Sequence, residues 1–182
     1  PTWSPDSNWV AYRNASASAQ KRGVYKIRAG SQQAPIRISD MDTAGAPVWS
    51  PDGKWIAVQS GTDVELLAPD GNAKRIVTKW SRGRADCLVW ARNSQFLYLL
   101  ARESGSQRIF RLQLDGSATL VRDLGSTQAG TNFVDGNTLS LSPDGKAILT
   151  TERRSHTRVL LMEGLRPPRP FWRRWLDRLG IG

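Results

Sequence analysis

One short segment, residues 47–58 with the sequence PVWSPDGKWIAV, constrains the fold of this chain more than any other, because it recurs. Four copies align: WSPDSNWVAY from Trp3, WSPDGKWIAV from Trp49, WARNSQFLYL from Trp90 and LSPDGKAILT from Leu141. Successive first positions lie 46, 41 and 51 residues apart. A period of about 40–50 residues with several strands per unit is that of a propeller blade.

Each copy reads as a chain reversal with a physical cause. The serine hydroxyl can accept a hydrogen bond from the backbone further on, and proline pre-sets φ at the next position. Aspartate suits the third place, and glycine relieves the exit. The turn-forming residues are Ser4, Pro5 and Asp6; Ser50, Pro51, Asp52 and Gly53; and Ser142, Pro143, Asp144 and Gly145. The third copy keeps Trp90 and Phe96 but has neither proline nor glycine, so a looser turn is expected there.

After each bend the chain reads as strand. Residues 54–58 (KWIAV) are apolar on both faces, as inner strands are when sheets stack face to face. A third strand is expected at 23–28, 64–68, 108–114 and 158–163. Two of these run into Asp-Gly pairs, Asp70-Gly71 and Asp115-Gly116, which favour hairpins. Polar outer strands follow at 35–39, 74–78 and 119–122. In the last unit, Gly164 to Pro168 cannot supply a normal outer strand.

The expected fold is therefore all-β: a β-propeller of at least four blades, each a four-stranded antiparallel sheet. The blades fall at about 1–43, 44–85, 86–130 and 131–165. Because the chain enters on an inner strand and runs one outer strand short, a larger ring is expected, with sequence upstream of Pro1.

The bend, followed by strands such as VELLAPDGNAKRIVT, resembles the WD40-like repeat of TolB-type propellers over residues 1 to about 165. That resemblance implies a protein-binding propeller in the periplasm or cytoplasm of a bacterium. The segment RVLLMEGLR is similar to the end of propellers joined to an N-terminal winged-helix DNA-binding region, which implies a sensory role in a transcriptional regulator as an alternative. TolB-type propellers also accompany prolyl-oligopeptidase-like hydrolases, which implies an accessory role as another.

No catalytic constellation stands out, so no enzyme activity is expected. His156, the only histidine, sits in a polar loop with no serine or cysteine motif around it. No phosphate loop, zinc helix or calcium loop is present, and no cofactor or metal is expected. Cys87 is the only cysteine, so no internal disulfide can form; it reads as a small apolar strand residue. Asp6, Asp52 and Asp144 read first as turn formers and second as an acidic rim for cations or a basic partner. Trp3, Trp49 and Trp90 read as core between blades. The formal net charge is +10, but Lys and Arg are scattered without interleaved aromatics, which argues against nucleic-acid binding by this region. A protein partner is the expectation.

Residues 166–182 stand outside the repeat. A proline-rich spacer leads to a short amphipathic helix, with Phe171, Trp172, Trp175, Leu176 and Leu179 on one stripe and arginines opposite. About nine residues cannot span a bilayer, but such a helix can dock on the propeller or a partner, or lie on a membrane surface.

Overall fold

A computed structural model describes residues 1–16, 21–40, 45–126 and 139–150. These residues form antiparallel sheets laid down one after another along the chain. The first comprises β1 (Thr2–Trp3), β2 (Trp9–Asn14), β3 (Gly23–Arg28) and β4 (Ile36–Ser39). The second comprises β5 (Val48–Trp49), β6 (Ile56–Ser60), β7 (Asp63–Leu67) and β8 (Lys74–Lys79). The third is β9 (Arg84–Trp90), β10 (Phe96–Glu103), β11 (Ser106–Gln113) and β12 (Ala118–Ser126). Of the fourth, β13 (Leu139–Leu141) and β14 (Ile148–Thr150) are described. Within each sheet spatial order follows chain order, because every connection is a hairpin. This is the layout of propeller blades.

Both faces of the inner strands are buried, which explains their uninterrupted apolar sequence. In the second sheet Ile56, Val58 and Leu67 face backward and pack with Ala11, Val24 and Ile38 of the first. Its other face, with Ala57, Val64 and Leu66, packs on Trp90, Leu97, Leu99 and Leu112 of the third. The third sheet in turn places Leu100 and Ile109 with Leu139, and Ile148 packs against them. Each fully buried Leu or Ile contributes about 1.5–3 kcal/mol relative to an exposed one. The joints between sheets therefore hold the array together.

One aromatic departs from expectation. Trp90 is buried at 4% exposure and Trp49 is partly buried against the first joint, but Trp3 is 60% exposed. Its face of the first sheet is the one that no described sheet covers. The strand expected at 158–163 and the helix expected in 166–182 lie outside the described residues, as does His156.

Candidate functional site

The bends are built alike from their side chains upward. Ser4, Ser50 and Ser142 each donate a hydroxyl hydrogen bond to the aspartate two residues on, at 2.5, 2.6 and 2.6 Å. The same oxygens accept from the backbone N–H of Trp9, Trp55 and Ala147, each at 2.9 Å. The aspartates accept from the N–H groups of Asn8, Lys54 and Lys146, each at 3.1 Å. Pro5, Pro51 and Pro143 fill the intervening corner of each bend, where the fixed φ is wanted and no N–H is needed.

These contacts favour the charged carboxylates. Asp6 is held down to about 2, first by the Ser4 hydroxyl and then by the backbone and side chain of Asn8. Asp144 is lowered by the Ser142 hydroxyl and the Lys146 N–H. At Asp52 partial burial pulls upward, but the Ser50 hydroxyl, the Lys54 N–H and the Lys54 charge outweigh it. Each aspartate is thus engaged within its own turn.

The fourth residue of every bend is left-handed: Ser7 at φ 60°, Gly53 at 74°, Ser94 at 58° and Gly145 at 74°. Contrary to expectation, the third bend keeps the common backbone. Ala91 N–H still donates to Phe96 O at 2.9 Å, and Ser94 N–H to Ala91 O at 3.0 Å. What it lacks is the hydroxyl–carboxylate pair; Asn93 accepts from the Gln95 N–H at 3.1 Å and donates its Nδ2 to Gln95 Oε1 at 3.2 Å.

Neighbouring bends are also tied to one another. The Asp52 N–H donates to Ser94 Oγ at 3.0 Å, and Arg92 Nε donates to Ser142 O at 3.3 Å. A β-carbon added to Gly53 would lie 3.4 Å from the ring of Pro5. Just inside this rim, Trp49 N–H donates to Thr2 Oγ1 at 3.3 Å and Trp90 Nε1 donates to Val48 O at 3.1 Å. The Asp-Gly turns lie on the same side. A β-carbon on Gly71 would meet Ile38 O at 3.3 Å, and one on Gly116 would meet Val77 O at 2.6 Å. Arg75 also donates to Leu114 O. This rim is a continuous belt.

The opposite rim is built from different material. The strand ends that meet at it are two residues apart between β6 and β7 and between β10 and β11, four between β8 and β9, and eight between β2 and β3. A chain of ion pairs crosses its central part. Buried Glu103 accepts Arg82 at 2.6 Å and Arg108 at 2.7 Å, and Arg108 also reaches Asp123 at 2.9 Å. The Arg82 guanidinium lies 5.4 Å from the Trp80 ring and 4.9 Å from that of Phe110.

Nearby, Asp86 pairs with Arg84 at 2.9 Å and Arg102 at 3.6 Å. The ladder shifts register between Leu100 and Ala101, leaving Asp86 as the extra residue of a bulge on the innermost strand. Burial pushes its carboxyl up, opposed by Arg102 and Arg84. Burial likewise raises the Cys87 thiol, which keeps it protonated.

Sequence reading did not single out Arg82, Arg84, Asp86 or Glu103. The available signal was the charged run Arg82-Gly83-Arg84-Ala85-Asp86 leading into an apolar inner strand. A solvent-open groove of about 390 Å³ also runs between Ile38 and Ser39 of β4 and Leu67, Gly71 and Lys74 of the second sheet. The tail residues Phe171, Trp172, Trp175, Leu176 and Leu179 lie outside the described residues.

Comparison with solved structures places this architecture. A TolB-assigned protein of Agrobacterium tumefaciens superposes with a TM-score of 0.63 at 19% identity, over 84% of this chain and 58% of that one. A chain of the nidogen–laminin complex gives 0.63 at 13% identity, over 83% and 55%. TolB from Acinetobacter baumannii gives 0.61 at 19% identity, over 78% and 35%. The chain thus spans between about a third and three-fifths of these proteins' lengths, and shares their fold. No family model matches the sequence. No curated protein matches it either.

Proposed function

We propose that this TolB-like β-propeller is a non-enzymatic scaffold that holds a protein partner on the rim opposite the Ser-Pro-Asp bends. One contrast carries the reading. On the bend rim each serine hydroxyl and one carboxylate oxygen of each aspartate are engaged in turn hydrogen bonds, and adjacent bends are linked to each other. On the other rim the strand ends are eight residues apart between β2 and β3 but two between β6 and β7, and the side chains of Arg82 and Arg84 remain 51% and 62% exposed. A rigid belt on one side fixes the loops on the other, so recognition loses little conformational entropy. Loops displayed by a rigid scaffold are where binding residues concentrate. One similar chain comes from a complex between two proteins, nidogen and laminin, which agrees with a binding role for this fold.

The test is site-specific photocrosslinking in the native host. A photoreactive residue is placed at Thr62, Ser81 or Ser104 on the proposed face, and at Ser7 or Lys54 on the bend rim. Adducts with one and the same protein from the first set alone are the expected result. Adducts from the bend rim alone, or a hydrolytic activity abolished by substitution within the described sheets, would overturn the reading.

A further inference from the structure

On the rim opposite the bends, where the second and third sheets meet, acids and bases are layered. Glu103 and Asp86 keep only 9% and 7% of their side chains exposed, whereas Arg82 and Arg84, paired with them, keep 51% and 62%. The carboxylates lie beneath and the guanidiniums above. Solvent therefore meets positive charge here, although each pair is formally neutral. Asp123, 43% exposed, extends the same chain of ion pairs and is held by Arg108.

The Arg82 head is fixed from below. Arg108 Nη1 donates to Glu103 Oε2 at 2.7 Å, which orients the carboxylate. Arg82 then approaches it side-on, with Nε 2.6 Å from Oε1 and Nη2 3.5 Å from Oε2. The Trp80 and Phe110 rings, 5.4 and 4.9 Å away, support the guanidinium from the joint between the sheets. Glu103 takes the Nε and Nη2 edge, which leaves the two Nη1 donors for another acceptor. Arg84 is anchored in the same manner, its Nε 2.9 Å from Asp86 Oδ1. Between the two arginines Gly83 has φ 150°, and a β-carbon there would collide with the Arg102 carbonyl oxygen. The backbone that spaces them is thus pressed against β10.

We propose that the partner presents an acidic peptide segment to this place, its carboxylates taking the open donors of Arg82 and Arg84; the inference rests on the rim assignment made above. A carboxylate matches the planar guanidinium fork. Because the Arg82 head is already held, docking costs it little further rotamer freedom. Nucleic acid fits less well. The rings beside Arg82, Trp80 and Phe110, are 3% and 1% exposed, so no base can stack on them.

The experiment uses a photoreactive residue at Thr62 or Ser104 in the native host, combined with Arg82→Gln, Arg84→Gln, both together, Arg82→Lys, or Lys54→Gln on the bend rim. Adduct yield is measured at equal protein level, checked by immunoblot, and the joined partner segment is mapped by mass spectrometry. The mapped segment should be rich in Asp and Glu. The double variant should lower adduct yield about tenfold, the order expected for losing charge-assisted hydrogen bonds, and Lys54→Gln should leave it unchanged. Arg82→Lys keeps the charge without the fork, so it should restore only part of what Arg82→Gln loses; it also retains a cation for Glu103 should Arg82→Gln lower protein level. Adducts with a neutral or basic segment, or a yield indifferent to the arginine changes, would overturn this inference and leave the rim assignment standing. Nucleic acid in the adduct, or no adduct from any position on this rim, would overturn both.

Discussion

Trp90 donates its indole N–H to the carbonyl oxygen of Val48 at 3.1 Å, tying the innermost strand of one blade to that of the blade before it. The ring itself is buried among Leu97, Leu99 and Leu112. Trp90→Phe keeps most of that packing and loses the bond, so it is expected to cost about 1 kcal/mol. Trp90→Ala also leaves a cavity and is expected to cost about 3–5 kcal/mol. Urea unfolding at neutral pH, followed by far-UV circular dichroism, separates the two.

The degenerate third bend invites repair. Installing the missing pair with Ala91→Ser and Asn93→Asp together should stabilise the fold by about 1 kcal/mol, the usual worth of a hydrogen bond. Either change alone should give less, since each supplies one partner of the pair. A double-mutant cycle in thermal unfolding measures the coupling.

Serine occupies a left-handed position at both Ser7 and Ser94, where glycine carries no steric penalty. Ser7→Gly should therefore stabilise by about 0.5–1 kcal/mol. Ser94→Gly should gain less or nothing, because the Ser94 hydroxyl accepts from the Asp52 N–H. Equal gains in melting temperature would show that the link between bends has no energetic weight.

Acid should act through the bends. Asp6 has a folded-state value of about 2, below its ordinary 3.8, and Asp52 and Asp144 are lowered in the same sense. A depressed carboxylate stabilises the folded state fully above its unfolded value, and that contribution disappears as pH falls through the folded value. The stability gap between wild type and the triple variant Asp6→Asn/Asp52→Asn/Asp144→Asn should thus be full above about pH 5 and shrink toward pH 2. Asp86, raised by burial, has the opposite sign: its contribution to folding falls as pH rises through its folded value. Urea midpoints of the triple variant and of Asp86→Asn at pH 7, 5 and 3 read both trends.

Close approach at the Asp-Gly turn gives a steric test. At Gly116, φ is 92° and an added β-carbon would meet Val77 O at 2.6 Å, whereas at Gly30, φ is 69° and nothing lies within 4 Å. Gly30→Ala should cost about 1–2 kcal/mol for the left-handed backbone alone. Gly116→Ala should cost more, since the second and third blades must also separate. Thermal unfolding of the two variants tests the order.

The amino-acid sequence by itself determined the bend, the strands that flank it and their count within each full blade. Those features close over a few residues: Ser50 meets Asp52 and Trp55, and the Asp-Gly pairs turn β7 into β8 and β11 into β12. Even the third bend holds its shape without proline or glycine, because the backbone bonds between Ala91 and its near neighbours suffice. Which face meets which was decided only in three dimensions. Trp3 and Trp90 open the same motif, yet one is exposed and the other buried, because burial depends on a sheet lying opposite rather than on local residues. The same holds for Arg82 and Glu103, and for Asp86 between Arg84 and Arg102. Strand pairing and a bulge bring these charges together, and neither has a signature at the positions concerned.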